Sequence, residues 1–178
     1  MQSPNYKIEL RRVFLLENLP APLTRANEHL QLFDNYIKKT RLRLRYVRSP
    51  QTKEWTRILE QRFPADENDL SVWKTLEIFL NENEYQALEK FEGREIRKNR
   101  YLYAFGKKQF EIDVFLGNLW GLCLAKIYFE IVEEMRGFEK PDFAIAEVTN
   151  NKFFTGAELV EKNFADVQKE FQEMENEK

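Results

Sequence analysis

The chain of 178 residues is 43% hydrophobic and 33% charged, a balance that excludes a disordered tail and a bundle of membrane helices. Its 28 basic residues stand against 30 acidic ones, and a net charge of −2 argues against a general nucleic-acid binder. A single cysteine, Cys123, and a single histidine, His29, exclude an internal disulfide and a zinc site of thiolates and imidazoles, so any metal must be held by carboxylates.

The chain opens with Met1-Gln2-Ser3-Pro4, without the basic cluster and apolar block of a secretory signal, and no run approaches a membrane span. A cytoplasmic protein without a membrane partner is expected. Lys7 to Leu16 alternates as a first strand and is closed by Pro20 and Pro22, while Asn27 to Ile37 reads equally as helix or strand. Thr40 to Arg48 alternates without a break, with Arg41, Arg43 and Arg45 on one face and Leu42, Leu44 and Tyr46 on the other. Ser49 to Thr52 predicts a turn into a strand from Glu54 to Phe63. A polar loop from Pro64 to Asp69 then leads to a strand from Trp73 to Leu80 and a short helix capped by Asn81.

Arg94 to Phe105 and Lys108 to Leu116 predict a hairpin about Gly106, and Leu122 to Val132 a further strand. From Thr155 the period changes. Val160, Phe164, Val167, Phe171 and Met174 form the stripe of one amphipathic helix over about 155–175, expected to pack on the outside of the sheet. This tail carries seven acids against three lysines, which leaves the first 154 residues at +2. The whole, 1–178, reads as a single α+β, mainly β domain: an antiparallel barrel over about 7–154 with short helices and a C-terminal helix.

Period two sets the three guanidinium groups of 41, 43 and 45 about 7 Å apart on one face. Lys98 and Arg100 share a face of a later strand, and Arg62 supplies another cation. In a closed barrel such residues converge on one lumen, where forks and ammonium groups suit the oxygens of a phosphate chain. The bland alternative is a solvated strand. Glu111 and Asp113 alternate likewise, and Glu9, Glu77 and Glu130 lie on strands that can join the same barrel. A hard cation such as magnesium needs only one or two carboxylates beside phosphate oxygens. Alternatively, each carboxylate pairs with a neighbouring arginine. No nucleotide-cofactor motif is present.

The run RKNRYLYAFGKKQFEIDVFLGNLWGLCLAKIYFE resembles the CYTH domain, the triphosphate tunnel metalloenzymes related to thiamine triphosphatase and one class of bacterial adenylyl cyclase. It has that family's lysine-x-arginine-tyrosine, its E-I/V-D-V-F and its G-x-L-x-G-L turn. LRLRYV resembles the family's arginine strand, FLNENEYQAL its strand-to-helix step and FAIAEVT its late glutamate-valine-threonine, all in order over about residues 7 to 155. The resemblance implies an eight-stranded antiparallel barrel whose charged tunnel holds a triphosphate with magnesium or manganese at one side. On it, Arg43 and Arg45 match the family's arginine pair, Lys98 and Arg100 its lysine-arginine pair, Glu111 and Asp113 its acidic pair, and Arg62 stands where the family has a lysine. The phosphate-binding set is therefore Arg41, Arg43, Arg45, Arg62, Lys98 and Arg100, and the metal set Glu9, Glu77, Glu111 and Asp113.

The departures from the family pattern are Arg11 and Val13, which follow Glu9 in place of glutamate and lysine, and Lys126 and Tyr128, which replace the last acidic pair. In the middle strand Thr75 precedes Glu77. Three readings follow. The first is a tunnel protein that binds a triphosphate or another compact polyanion, with metal-dependent hydrolysis weak or lost. The second is a working magnesium-dependent triphosphatase. The third is a non-catalytic domain with a neutralised tunnel that docks a protein partner through its acidic C-terminal helix.

Overall fold

The alternating segments pair edge to edge into one antiparallel sheet that closes on itself, as the sequence predicts. The structure, a computed structural model, describes residues 5–91 and 93–176; the Met1 to Pro4 opening lies outside them. The strands are β1 (Lys7–Leu16), β2 (Leu30–Tyr36), β3 (Leu42–Arg48), β4 (Trp55–Asp66), β5 (Asp69–Phe79), β6 (Arg94–Phe105), β7 (Lys108–Phe115), β8 (Cys123–Phe129) and the two-residue β9 (Ala146–Glu147). Among the described residues four α-helices accompany them: α1 (Glu82–Glu89), α2 (Val132–Arg136), α3 (Gly156–Leu159) and α4 (Phe164–Asn176). The order β5-β4-β3-β2-β6-β7-β8-β1 closes through pairing of β1 with β5, and β9 adds to the far end of β1. No helix among the described residues is long and apolar enough to cross a membrane.

Alternation sorts the side chains into two cores. Phe14, Phe110, Ile112 and Ile127 point outward and are covered by Met135 of α2 and by Phe138, Phe143 and Ala144. Full burial of each such side chain contributes about 1.5–3 kcal/mol. The opposite parity faces the lumen. At one end of the barrel that face is apolar: Val13, Leu15, Ile96, Phe115 and Leu124 pack with Phe154, Leu159 and Val167. The C-terminal segment therefore closes one end of the barrel instead of lying on its outside. Gly156 permits this close approach, because a Cβ there would stand 1.7 Å from the Tyr36 hydroxyl and would have to displace that side chain.

One open expectation is resolved and two are corrected. The ambiguous segment before Ile37 is strand β2, since Leu32 and Asp34 must both turn inward. The loop expected from Pro64 to Asp69 shrinks to the turn at Glu67 and Asn68: Pro64 to Asp66 belong to β4, with a register shift between Pro64 and Asp66 where a residue without an N–H is tolerated. The single terminal helix is two. Asn163 Oδ1 accepts from the backbone N–H groups of Ala165 and Asp166, and Asp166 accepts from that of Asn163, so a new helix starts there.

Candidate functional site in the barrel lumen

Strand β3 delivers Arg43 and Arg45 to the lumen, and neither is free. Arg43 donates to Asp34 Oδ2 at 3.2 Å, to the Tyr36 hydroxyl at 3.1 Å and to Glu60 Oε1 at 2.5 Å. Arg45 grips Asp34 with its fork at 2.5 and 2.8 Å. Arg41 parts from this pair: β3 begins at Leu42, and the exposed Arg41 lays its guanidinium over the Phe63 ring at 4.1 Å. It still lines the inner cavity described below.

A second carboxylate hub organises the other wall. Asp113 on β7 receives the Arg100 fork at 2.6 and 2.8 Å, Lys98 at 2.8 Å and Lys126 at 2.9 Å. Lys98 also lies 3.5 Å from Asp34 and so links the two hubs. Glu111, nearer the open end, holds Arg100 at 2.8 Å and accepts from the Tyr128 hydroxyl at 3.3 Å. Arg62 on β4 pairs with Glu9 on β1 at 2.5 Å.

Both hub aspartates are fully buried. Burial alone would raise their pKa, but the surrounding cations overcome it and hold both well below the ordinary carboxylate range: Arg43, Arg45 and Lys98 at Asp34, and Arg100, Lys126 and Lys98 at Asp113. Glu60 is likewise brought down to about 2, with burial outweighed by Arg43 and Arg45.

The departures from the family pattern lie on the inward parity. Across the β1–β8 pairing Arg11 stands opposite Tyr128, and Val13 opposite Lys126. Arg11 is 7% exposed, stacks on Trp73 at 4.3 Å and has no hydrogen-bond partner for Nε among the described residues. Burial and the neighbouring Arg62 push it down to about 9, which leaves it charged at neutral pH. Lys126 is pushed well below the ordinary lysine range by burial and, against the pull of Asp113, by Lys98 and Arg100.

Two hollows result. An inner cavity of about 100 Å³ is lined by Arg11, Arg41, Arg43, Arg62, Lys98 and Lys126, with Glu60 its one carboxylate. The open mouth, of about 620 Å³, is lined by Glu9, Glu60, Glu77, Glu111 and Glu130 beside Lys7, Arg45, Arg62 and Arg100. Of the four proposed metal ligands, Glu9, Glu77 and Glu111 line this mouth, while Asp113 lies deeper among cations. Among the described residues, no group of three or more His, Cys, Asp or Glu side chains is placed to hold a metal ion.

Sequence reasoning missed Asp34, Glu60 and Trp73. Asp34 was hidden in a segment of ambiguous period, whereas Glu60 shares the parity of Arg62 and could have been found from it.

No family model matches the chain. A stretch of 72 residues is 39% identical to an inorganic triphosphatase of Acetivibrio thermocellus; it covers 39% of this chain and 45% of that protein, so the match spans less than half of the relative. The chain is similar in structure to the inorganic triphosphatase NE1496 at TM-score 0.57 and 24% identity, over 85% of this chain and 93% of that one. A second structure, of the hypothetical protein NE1496, aligns at TM-score 0.59 and 22% identity over 87% and 99%. The PH1819 protein from Pyrococcus horikoshii aligns at TM-score 0.50 and 17% identity over 72% and 82%. With its closed eight-stranded antiparallel barrel, the chain shares the fold of these structures, and its inward-facing charged residues are the ones on which the sequence resembles the CYTH domain.

Proposed function

We propose that the lumen binds a triphosphate or a similarly compact polyanion, and that metal-dependent hydrolysis is weak or absent. The observation that carries this reading is the inner cavity, where six cations face one carboxylate and the buried Arg11 has no ion-pair partner among the described residues. Such a group is costly without a counter-charge, and an entering anion would supply it. Phosphate oxygens fit the forks of Arg11, Arg43 and Arg62, with Lys98 and Lys126 as point charges beside them.

Apart from Glu77, the carboxylates proposed for a divalent cation are already engaged. Asp113 is already shared by three cations, Glu111 by Arg100 and Tyr128, and Glu9 by Arg62. Any ion drawn to the inner cavity would face Arg11 and Lys126. The likeness to an inorganic triphosphatase favours a second reading, an active magnesium- or manganese-dependent triphosphatase using Glu9, Glu77, Glu111 and Asp113.

A thermal-unfolding panel with tripolyphosphate, thiamine triphosphate and ATP, each with and without magnesium, separates the two when paired with phosphate release. An anion at a hundred times its dissociation constant should stabilise the fold by about 2.7 kcal/mol without metal, and release should stay near background. Brisk magnesium-dependent release favours the second reading. No shift with any anion at low salt, where attraction is greatest, removes both.

A further inference from the structure

The outer wall of β4, β3, β2 and β6 carries a second arginine pattern that the lumen leaves unused. The strand registers set Arg57, Tyr46, Phe33 and Arg97 in one row across the four strands, and Trp55, Arg48, Gln31 and Asn99 in the next. All have the parity opposite to Arg43, Arg45, Glu60 and Lys98, which are buried in the lumen. Rings and guanidinium groups alternate. Arg57 lies 5.5 Å from the Tyr46 ring centroid, Arg48 5.5 Å from that of Trp55, and Arg97 5.7 Å from that of Phe33. Tyr85 of α1 stacks on Tyr46 with centroids 3.9 Å apart, whereas Phe33 and Trp55, side by side at 6.1 Å and inclined by 35°, carry no such ring, and Trp55 is 45% exposed. Past Asn99 the row continues to Val114 of β7, which shares a groove of about 220 Å³ with Arg25; the groove has one acid, Glu17. Arg25 in turn lies 4.2 Å from the centroid of the exposed Trp120 ring. Arg57 is tied to Glu82 and Arg97 to Glu95, but Arg25 and Arg48 form no ion pair among the described residues.

We infer that this outer wall is a docking surface for single-stranded nucleic acid, with bases laid on Phe33, Trp55 and Trp120 and phosphates held by Arg25 and Arg48. It is independent of the lumen and of what the lumen binds. The net charge of −2 excludes indiscriminate attraction, yet each of these three rings has a guanidinium beside it, an order that repeats the alternation of base and phosphate along a strand. Stacking on a ring needs a bare π-face, which the bases of a single strand offer and those of a duplex hide. At the usual strand spacing the row from β4 to β7 spans about 14–15 Å to β6 and about 19 Å to β7, enough for a few nucleotides laid across the strands. The unpaired Arg25 and Arg48 stand toward opposite ends of that row and supply the charge complementarity for phosphate. An acidic peptide would satisfy the arginines and leave the rings bare, so the rings favour bases.

The test titrates the full chain into a labelled oligothymidine of about ten nucleotides with hydroxyl ends, followed by fluorescence anisotropy over a range of salt concentrations. The wild type should bind the single strand at least tenfold more tightly than the same strand in a duplex, and less tightly as salt rises. Phe33→Ala and Trp55→Ala should each weaken it about fivefold or more through lost stacking. The double variant Arg25→Ala and Arg48→Ala should lower the slope of log affinity against log salt by about 1.4, the value for two phosphate contacts on a single strand. All three variants should melt within a few degrees of the wild type, since the side chains lie outside the core. Excess tripolyphosphate should displace the strand no more than sodium chloride of equal ionic strength does. The docking surface is overturned if the wild type does not bind the strand, if the duplex binds as well, or if both the ring variants and the arginine variant bind as the wild type does. It is also overturned if tripolyphosphate competes beyond its ionic strength, which places the strand in the lumen, or if polyglutamate competes as well as unlabelled oligothymidine, which makes the wall a surface for acidic peptides.

Discussion

Lys126 Nζ sits 2.9 Å from Asp113 Oδ2, an oxygen that Lys98 already approaches at 2.8 Å and Arg100 at 2.8 Å. One carboxylate thus restrains three cations that would otherwise repel one another across the lumen. Replacing Asp113 by Asn should cost about 3–5 kcal/mol, the usual penalty for breaking a buried charge cluster from one side. Much of that loss should return on adding tripolyphosphate, which supplies the missing negative charge. Urea unfolding of Asp113→Asn with and without the anion checks both halves, and an equal loss in both conditions would count against an anion-binding lumen.

Arg11 should show the opposite balance. It is buried, stacked on Trp73 and close enough to Arg62 for the two charges to oppose each other, with no ion-pair partner among the described residues. Arg11→Met keeps most of the apolar volume and removes the charge, so the free protein should gain on the order of 1 kcal/mol or more. The same change should weaken tripolyphosphate at least tenfold. Denaturant midpoints and a binding titration together decide it. A variant that is less stable and binds as well as wild type would mean that Arg11 only supports the wall.

Acid should unfold the protein through its hubs. Asp34, Asp113 and Glu60 all titrate below their ordinary range in the fold, so the unfolded chain binds more protons as pH falls. Their contribution is complete above the ordinary carboxylate pKa of about 4 and is lost progressively as pH drops below it. Stability measured from neutral pH downward should therefore hold nearly level and then fall steeply, and Asp34→Asn should flatten that fall. A wild-type profile that declines already between neutral and mildly acidic pH would contradict the assignment.

Anion binding should take up protons over the pH range in which Lys126 titrates. Lys126 is held well below the ordinary lysine range, first by burial and then by Lys98 and Arg100. A phosphate beside it would favour the ammonium form and raise that pKa. Calorimetric titrations in two buffers of different ionisation enthalpy should reveal the uptake, and Lys126→Met should abolish it. Equal heats in both buffers would place the anion away from Lys126.

Strict alternation made the β3, β6 and β7 charges legible in the sequence, because side-chain parity survives any register. Arg43 and Arg45, Lys98 and Arg100, and Glu111 and Asp113 all reach the lumen on that signal alone. The partners were less legible. Which carboxylate neutralises which arginine depends on strands brought together from distant parts of the chain, and Asp34 meets Arg45 only through the β2–β3 register. Arg41 has the right parity but lies one residue before its strand, where the turn from Ile37 releases it toward Phe63. The terminal segment was misplaced for a related reason. Its apolar stripe is real, yet a stripe does not say which surface it covers, and Leu159 and Val167 close the barrel end.

If built-in cations, rather than a metal, complete the anion site, tripolyphosphate needs no divalent ion to bind. Calorimetric titration of tripolyphosphate into the wild-type protein tests it directly, first with a chelator that removes divalent ions and then with excess magnesium. Measurable one-to-one binding is expected in the chelator and equal or weaker binding with magnesium, since the metal ties up the oxygens that Arg11, Arg43 and Lys126 would take. Binding that appears only when magnesium is added would contradict it.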